Sequence, residues 1–310
     1  MVNFAPVSSY SSQELAAALK AGSLEVALGP FTARAKGEGK PLRSFLQDTY
    51  RDVMVRLSLS DVTDIALDVR APSLLRKYIR PQVIPDPGFQ VPAVPLPKSM
   101  SGLAFEMGLN LVVALKCCRF VTFHAGVVAN DKGAILMSAE SGGGKSTLVA
   151  ALMEEGYRLY SDEFALLNMP DARLASYPRP VSLKNESIEI VRDFAGGDWV
   201  SPVISDTPKG KIAYRRARPE DITEAGETAV TKLVLFPRFE AGVRASARGL
   251  RRAEAIMRLI PSSTNYHLLG EQGFNALRKM LDGAEAFEIT YGTTDDSMKM
   301  VRDLAAKVGL

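Results

Sequence analysis

Apolar and polar positions alternate along this chain with two different periods, and the switches between them predict its elements. Ser11 and Glu14 stand at capping-box spacing ahead of an apolar face, which predicts a helix running through Leu19. Residues 24–35 alternate about Gly29-Pro30 and predict a hairpin, and residues 62–69 and 81–84 predict further strands. Pro85, Pro87, Pro92, Pro95 and Pro97 then interrupt any regular pattern. Proline breaks both helices and sheet interiors, so this run predicts a boundary between residues 1–97 and 98–310.

Beyond the boundary the pattern changes. Residues 101–117 predict a long apolar helix. Residues 120–124, 126–129 and 134–139 predict strands, with residues 130–133 as the turn joining the last two. A helix over 146–155 ends at Gly156, and short strands follow at 158–161 and 164–167. A helix is expected at 185–194 and a strand at 230–236. Helices at 252–259, 271–281 and 295–308, with a strand at 286–291, close the chain. Strands alternating with helices predict an α/β domain, preceded by a small α+β domain.

Composition narrows the class. Hydrophobic residues make up 46% and charged residues 24% of 310 residues, which is enough to build a packed core. The net charge is only +3, and the densest basic spot, Arg248 to Arg252, is answered by Glu254 and read as a solvated helix start. Nucleic acid is therefore not an expected partner. The two cysteines, Cys117 and Cys118, are adjacent and offer neither a structural disulfide nor a metal spacing, so a reducing, cytoplasmic setting is expected. The N-terminal residues show no basic and apolar signal pattern. The most apolar stretch carries Glu106, Asn110 and Lys116, so no membrane association is expected.

One segment carries chemistry. Ala139-Glu140-Ser141-Gly142-Gly143-Gly144-Lys145-Ser146 meets the pattern G-x-x-x-x-G-K-[ST] with a small residue in its first position. A predicted strand leads in and a predicted helix, beginning with Thr147, leads out. Glycines allow successive backbone amides to face a phosphate, and a helix N-terminus adds positive potential there. Lys145 is expected at the β- and γ-phosphates of ATP, and the Ser146 hydroxyl on Mg²⁺. The next strand ends in Asp162-Glu163. Carboxylates at a strand end beside such a loop serve two purposes, one accepting the proton of an acceptor hydroxyl and one holding Mg²⁺. His124 stands at the end of an earlier strand, where packing and a role in the site are both open. Lys184, Lys209, Lys211 and Arg215 are candidates to clamp phosphates, each weighed against an ordinary surface cation. His267, Trp199, Met298 and Met300 read as packing.

Residues 124–163 resemble the core of the HPr kinase/phosphorylase family, which phosphorylates a serine of HPr. The resemblance lies in His124, the turn and strand, Ser141 to Ser146, the helix, Gly156-Tyr157-Arg158-Leu159 and the acidic pair. Arg179-Pro180, Ser182 to Ser187, Asp206 to Lys211, Phe236-Pro237-Arg238 and Asn265-Tyr266 resemble a branch called HprK-related kinase A. This resemblance implies a P-loop kinase core of the HPr kinase and phosphoenolpyruvate carboxykinase type, with Asp162 as base and Glu163 as the metal-associated acid. The family usually has two aspartates there, and commonly has Glu where this chain has Thr147. Its phosphorylase signature is not evident, and the N-terminal third differs from the family's usual N-terminal domain. The leading expectation is transfer of the γ-phosphoryl group of ATP to a hydroxyl, foremost a serine of a protein or peptide. A small-molecule kinase and a nucleotide-regulated binding protein are the alternatives. The N-terminal third is expected to serve recognition or assembly, a homo-oligomer included.

Overall fold

A computed structural model describes residues 3–58, 62–140 and 142–310. The protein is mixed α/β and divides into two compact units, residues 1–116 and 117–310. The first unit therefore runs past the proline run, because the helix Ser101–Lys116 packs on the strands Ile65–Arg70 and Gln82–Asp86 and on the helix Lys40–Thr49. The helix is buried on every side over residues 101–106, including Glu106, whose carboxylate takes the Tyr50 hydroxyl, and keeps one partly covered face beyond them. A helix apolar on every side has no stable solvent face, so it must lie inside a unit.

The first unit holds one sheet in the order Ala5–Pro6, Met54–Arg56, Leu24–Leu28, Phe31–Gly37, Ile65–Arg70, Gln82–Asp86, Leu96–Pro97. Its entry helix, Ser12–Ala21, carries the capping box: the Glu14 amide donates to Ser11 Oγ at 3.3 Å, and the Ser11 amide donates back to Glu14 Oε2 at 2.9 Å. The hairpin closes with Leu28 opposite Phe31. The strand expected over 62–69 begins only at Ile65, and Val62 is exposed.

The second unit is built on a six-stranded sheet in the order Arg158–Ser161, Gly126–Asn130, Gly133–Met137, Thr231–Phe239, Glu285–Tyr291, Ser246–Gly249. The pairs formed by Gly133–Met137 with Thr231–Phe239, and by Thr231–Phe239 with Glu285–Tyr291, are parallel; the others are antiparallel. Gly133–Met137 is buried at every position, as a central strand covered on both faces must be. A four-stranded sheet includes Phe120–Phe123 and Ala165–Asn168, and a three-stranded sheet joins Val181–Lys184, Gly210–Arg215 and Ile204–Thr207. The basic spot read as a helix start is a strand, Ser246–Gly249, with the helix beginning at Arg252. Arg248 is bonded to both Glu254 and Glu288, a pairing across strands that helical spacing does not anticipate.

Candidate functional site

The direction of the strands assembles the site. The parallel strands Gly133–Met137, Thr231–Phe239 and Glu285–Tyr291 run the same way, so their C-terminal ends meet at one edge of the sheet. The first gives way to the glycine loop, and the others end in Phe239 and Tyr291. Gly126–Asn130 runs against them and starts at that edge, just after His124. Arg158–Ser161 runs against Gly126–Asn130, so it finishes there and delivers Asp162 and Glu163. Side chains from these ends line a cleft of about 460 Å³, within the usual range for small-molecule and cofactor sites.

The loop needs its glycines for two separate reasons. Gly142 and Gly144 have φ of 88° and 85°, in the left-handed region costly for other residues. Gly143 has ordinary φ but lies so close to the Pro237 carbonyl that a Cβ would stand 3.1 Å from it. Tyr291 closes the far side, its hydroxyl donating to the Gly143 carbonyl at 3.3 Å. Burial pushes the Tyr291 phenol well above its ordinary range, so it stays protonated and remains a donor. The helix Lys145–Glu154 begins immediately after Gly144.

Its first two residues turn to the same acid. Buried Lys145 donates through Nζ to the Asp162 backbone carbonyl and, at 3.1 Å, to Asp162 Oδ1. The Ser146 hydroxyl donates to Asp162 Oδ2 at 2.9 Å, and the Ser182 amide donates to the same oxygen at 3.2 Å. Asp162 is thus enclosed by a cation, a hydroxyl and an amide. Glu163 points the other way and lines the cleft, with Oε2 at 3.5 Å from His124 Nδ1. Neighbouring residues leaving a strand point to opposite sides, which accounts for the split.

His124 is held by its surroundings. Its amide donates to the Ser262 carbonyl at 2.7 Å, and its Nδ1 lies 3.1 Å from the Glu163 carbonyl. The strand before it is pinned by buried Asn265, whose Oδ1 accepts from the Thr122 amide at 3.0 Å and whose Nδ2 donates to the Phe120 carbonyl at 2.8 Å. Burial first, and then the Lys145 ammonium, hold the His124 imidazole below its ordinary pKa, outweighing Glu163 and Asp162. The contact with the Glu163 carboxylate is therefore no full ion pair at neutral pH. Nδ1–H donating to the Glu163 carbonyl is the tautomer that satisfies both groups.

Of the other residues singled out in the sequence, Ala139, Glu140, Thr147 and Lys184 line the cleft. Ser141 lies outside the described residues. Lys209 and Lys211 do not line it: both are exposed on the hairpin of Ile204–Thr207 and Gly210–Arg215. Arg215 is buried and bonded to Glu154, at the opposite end of the helix from the glycine loop. Ile190, Phe239, Tyr291 and Thr294 line the cleft without having been anticipated, and Asn185 and Ser187 line it from the segment singled out for its resemblance. Tyr291 was legible only as the last residue of an expected strand, and Phe239 not at all, because the observed strand Thr231–Phe239 runs three residues past the expected end at 236.

Among the described residues no helix is long and apolar enough to cross a membrane, and no cluster of three or more His, Cys, Asp or Glu could hold a metal alone. Cys117 and Cys118 are unpaired thiols.

The fold and the site define a mixed α/β protein whose second unit carries a glycine-loop cleft floored by a lysine, a serine and an aspartate. No protein-family model matches the chain, and no curated protein matches it. Among solved structures it is similar to the HPr(Ser) kinase/phosphatase from Coxiella burnetii, at 15% identity and a TM-score of 0.26. That match covers 60% of this chain and 91% of the other.

Proposed function

We propose that this protein is an ATP-dependent phosphotransferase acting on a hydroxyl acceptor. The observation that carries the reading is the convergence of Lys145 and Ser146 on Asp162 directly behind the glycine loop. A hydroxyl and a carboxylate oxygen 2.9 Å apart form the oxygen pair that suits Mg²⁺ beside a nucleotide phosphate. Ser146 and Asp162 would hold Mg²⁺ there, where it would neutralise charge on the phosphates. Lys145 exchanges Asp162 Oδ1 for the β- and γ-phosphate oxygens, and the amides of Gly142 to Lys145 receive the rest of the phosphate chain.

The placement of the acids supports a division of labour opposite to the one the family resemblance implies. Asp162 is engaged by Lys145, Ser146 and the Ser182 amide and belongs with the cation. Glu163 and His124 face the cleft and are placed to meet the acceptor. In the transfer the acceptor oxygen bonds to the γ-phosphorus, the bond to the ADP oxygen breaks, and the hydroxyl proton passes to the Glu163 carboxylate. Half-exposed His124 leaves the acceptor end of the cleft open, which fits a serine of a protein or peptide better than an enclosed metabolite.

Labelled γ-phosphate offered as MgATP to the protein and a cell extract, separated into protein and small-molecule fractions, tests the reading. Label is expected in the protein fraction and absent when Lys145→Ala replaces the parent chain. No Lys145-dependent label in either fraction refutes the reading.

A further inference from the structure

The first unit carries a second concavity, of about 200 Å³, remote in sequence from every residue assigned above. Lys20, Lys36, Arg70, Lys77 and Lys98 line it, against only two acids, Glu38 and Asp68. These cations come from separate elements: the helix Ser12–Ala21, the strands Phe31–Gly37 and Ile65–Arg70, the helix Leu74–Tyr78, and the turn Lys98–Met100. Like charges brought together by tertiary structure repel one another, and a concave lining with an excess of one sign focuses its net field on whatever occupies it.

Three of the cations have partners. Lys77 meets Glu38 at 3.3 Å, Arg70 is bonded to Asp86, and Lys36 stands 3.7 Å from Asp68. Asp68 is already held by Arg34 at 3.0 Å, so its attraction for Lys36 is divided. The ammonium groups of Lys20 and Lys98 have no ion pair among the described residues. The Lys98 stem is held against Gly39, where a Cβ would stand 3.2 Å from its Cε, so the approach depends on glycine at that point.

We propose that this concavity is a binding site for a small dianion of the phosphate-monoester type. Two unpartnered ammonium groups, with Lys36 only partly engaged, match two negative charges, whereas a monocarboxylate leaves one cation unanswered. The volume admits a phosphate and a short organic body and excludes a nucleoside triphosphate. The flanking Glu38 and Asp68 set a negative rim that disfavours an extended polyanion such as nucleic acid. Lys20 and Lys98 would each donate to phosphate oxygens as charge-assisted bonds.

The test is calorimetric, on the full chain carrying Lys145→Ala, so that the glycine-loop lysine does not contribute. Inorganic phosphate and glycerol 3-phosphate are titrated separately, with glycerol as the uncharged control. Both anions are expected to bind and glycerol is not. Tighter binding of glycerol 3-phosphate assigns the site to a phosphorylated metabolite, and equal binding assigns it to free phosphate. Adding Lys20→Gln and Lys98→Gln together is expected to weaken binding by at least tenfold, while Lys98→Arg alone retains it. Both positions lack ion pairs and their neighbours are mostly cations, so the thermal midpoint without ligand is expected not to fall, which separates lost binding from lost folding. Binding that survives the paired change within twofold, or no anion binding at millimolar concentration in the parent, overturns the proposal.

Discussion

Asp162 and Glu163 are adjacent in the chain, and their surroundings make them chemically unlike. Asp162 holds Lys145 and Ser146, and Glu163 stands free of them beside His124. On this geometry Asp162→Asn weakens MgATP binding and is partly rescued by excess Mg²⁺ or Mn²⁺. Glu163→Gln keeps MgATP affinity and lowers turnover by roughly 10²- to 10⁴-fold, the range for losing a general base. Calorimetry with MgATP and a metal titration of the transfer rate separate the two. Metal rescue of Glu163→Gln alone would restore Asp162 as the base. His124 yields a second prediction at this scale. Its folded pKa is depressed by burial and by Lys145, so the unfolded chain takes up its proton first as pH falls. The stability held at neutral pH is therefore lost on acidification below about 6.5. Chemical denaturation at stepped pH should show His124→Gln flattening that slope, and an unchanged slope would mean the imidazole titrates freely.

The glycine loop works as an element because each glycine answers a different demand. Gly142 has positive φ and open space around it, so Gly142→Ala meets backbone strain alone, about 1–2 kcal/mol. Gly144 has positive φ and lies against the Tyr291 hydroxyl, so Gly144→Ala meets the same strain and a clash. Gly144→Ala should cost more than Gly142→Ala in urea unfolding. Combining it with Tyr291→Phe, which removes the oxygen a Cβ would strike, should cost less than the two single changes added. Strict additivity would show that Tyr291 yields without resistance. Other elements were legible for local reasons, such as the capping box of Ser11 and Glu14 and the hairpin at Gly29. The strands Val181–Lys184 and Gly210–Arg215 were not. Val181, Leu183, Ala213 and Tyr214 are buried on both sides of the alternation, and Pro208 and Gly210 read locally as loop. Only the pairing of Leu183 with Ala213 makes strands of them.

At the scale of the molecule, the helix Ser101–Lys116 decides where the chain can be divided. A fragment beginning near Lys98 keeps that helix without the strands it packs on, and leaves Leu103, Phe105 and Leu109 without their neighbours. It should associate or precipitate, whereas residues 117–310 should remain monodisperse in light scattering and bind MgATP. Equal behaviour of the two fragments would show that the helix is dispensable to the first unit. A ligand held by the folded state alone stabilises it by about 2.7 kcal/mol at a hundred times its Kd. Saturating MgATP should therefore raise the thermal midpoint of residues 117–310.

The sequence by itself determined the features that depend on neighbours along the chain. These are the helix caps, the hairpin, the glycine loop between a buried strand and a helix, and the presence of two acids at the next strand end. Each rests on backbone chemistry acting over a few residues. The tertiary structure alone decided which acid meets Ser146, which cations reach the cleft and to which unit the apolar helix belongs. It sent Arg215 to Glu154, left Lys209 and Lys211 on an outer hairpin, and brought Phe239 and Tyr291 to the glycine loop. Those outcomes depend on strand order and on the direction in which side chains leave a strand. Both are set by packing between residues far apart in the chain, which no local pattern records.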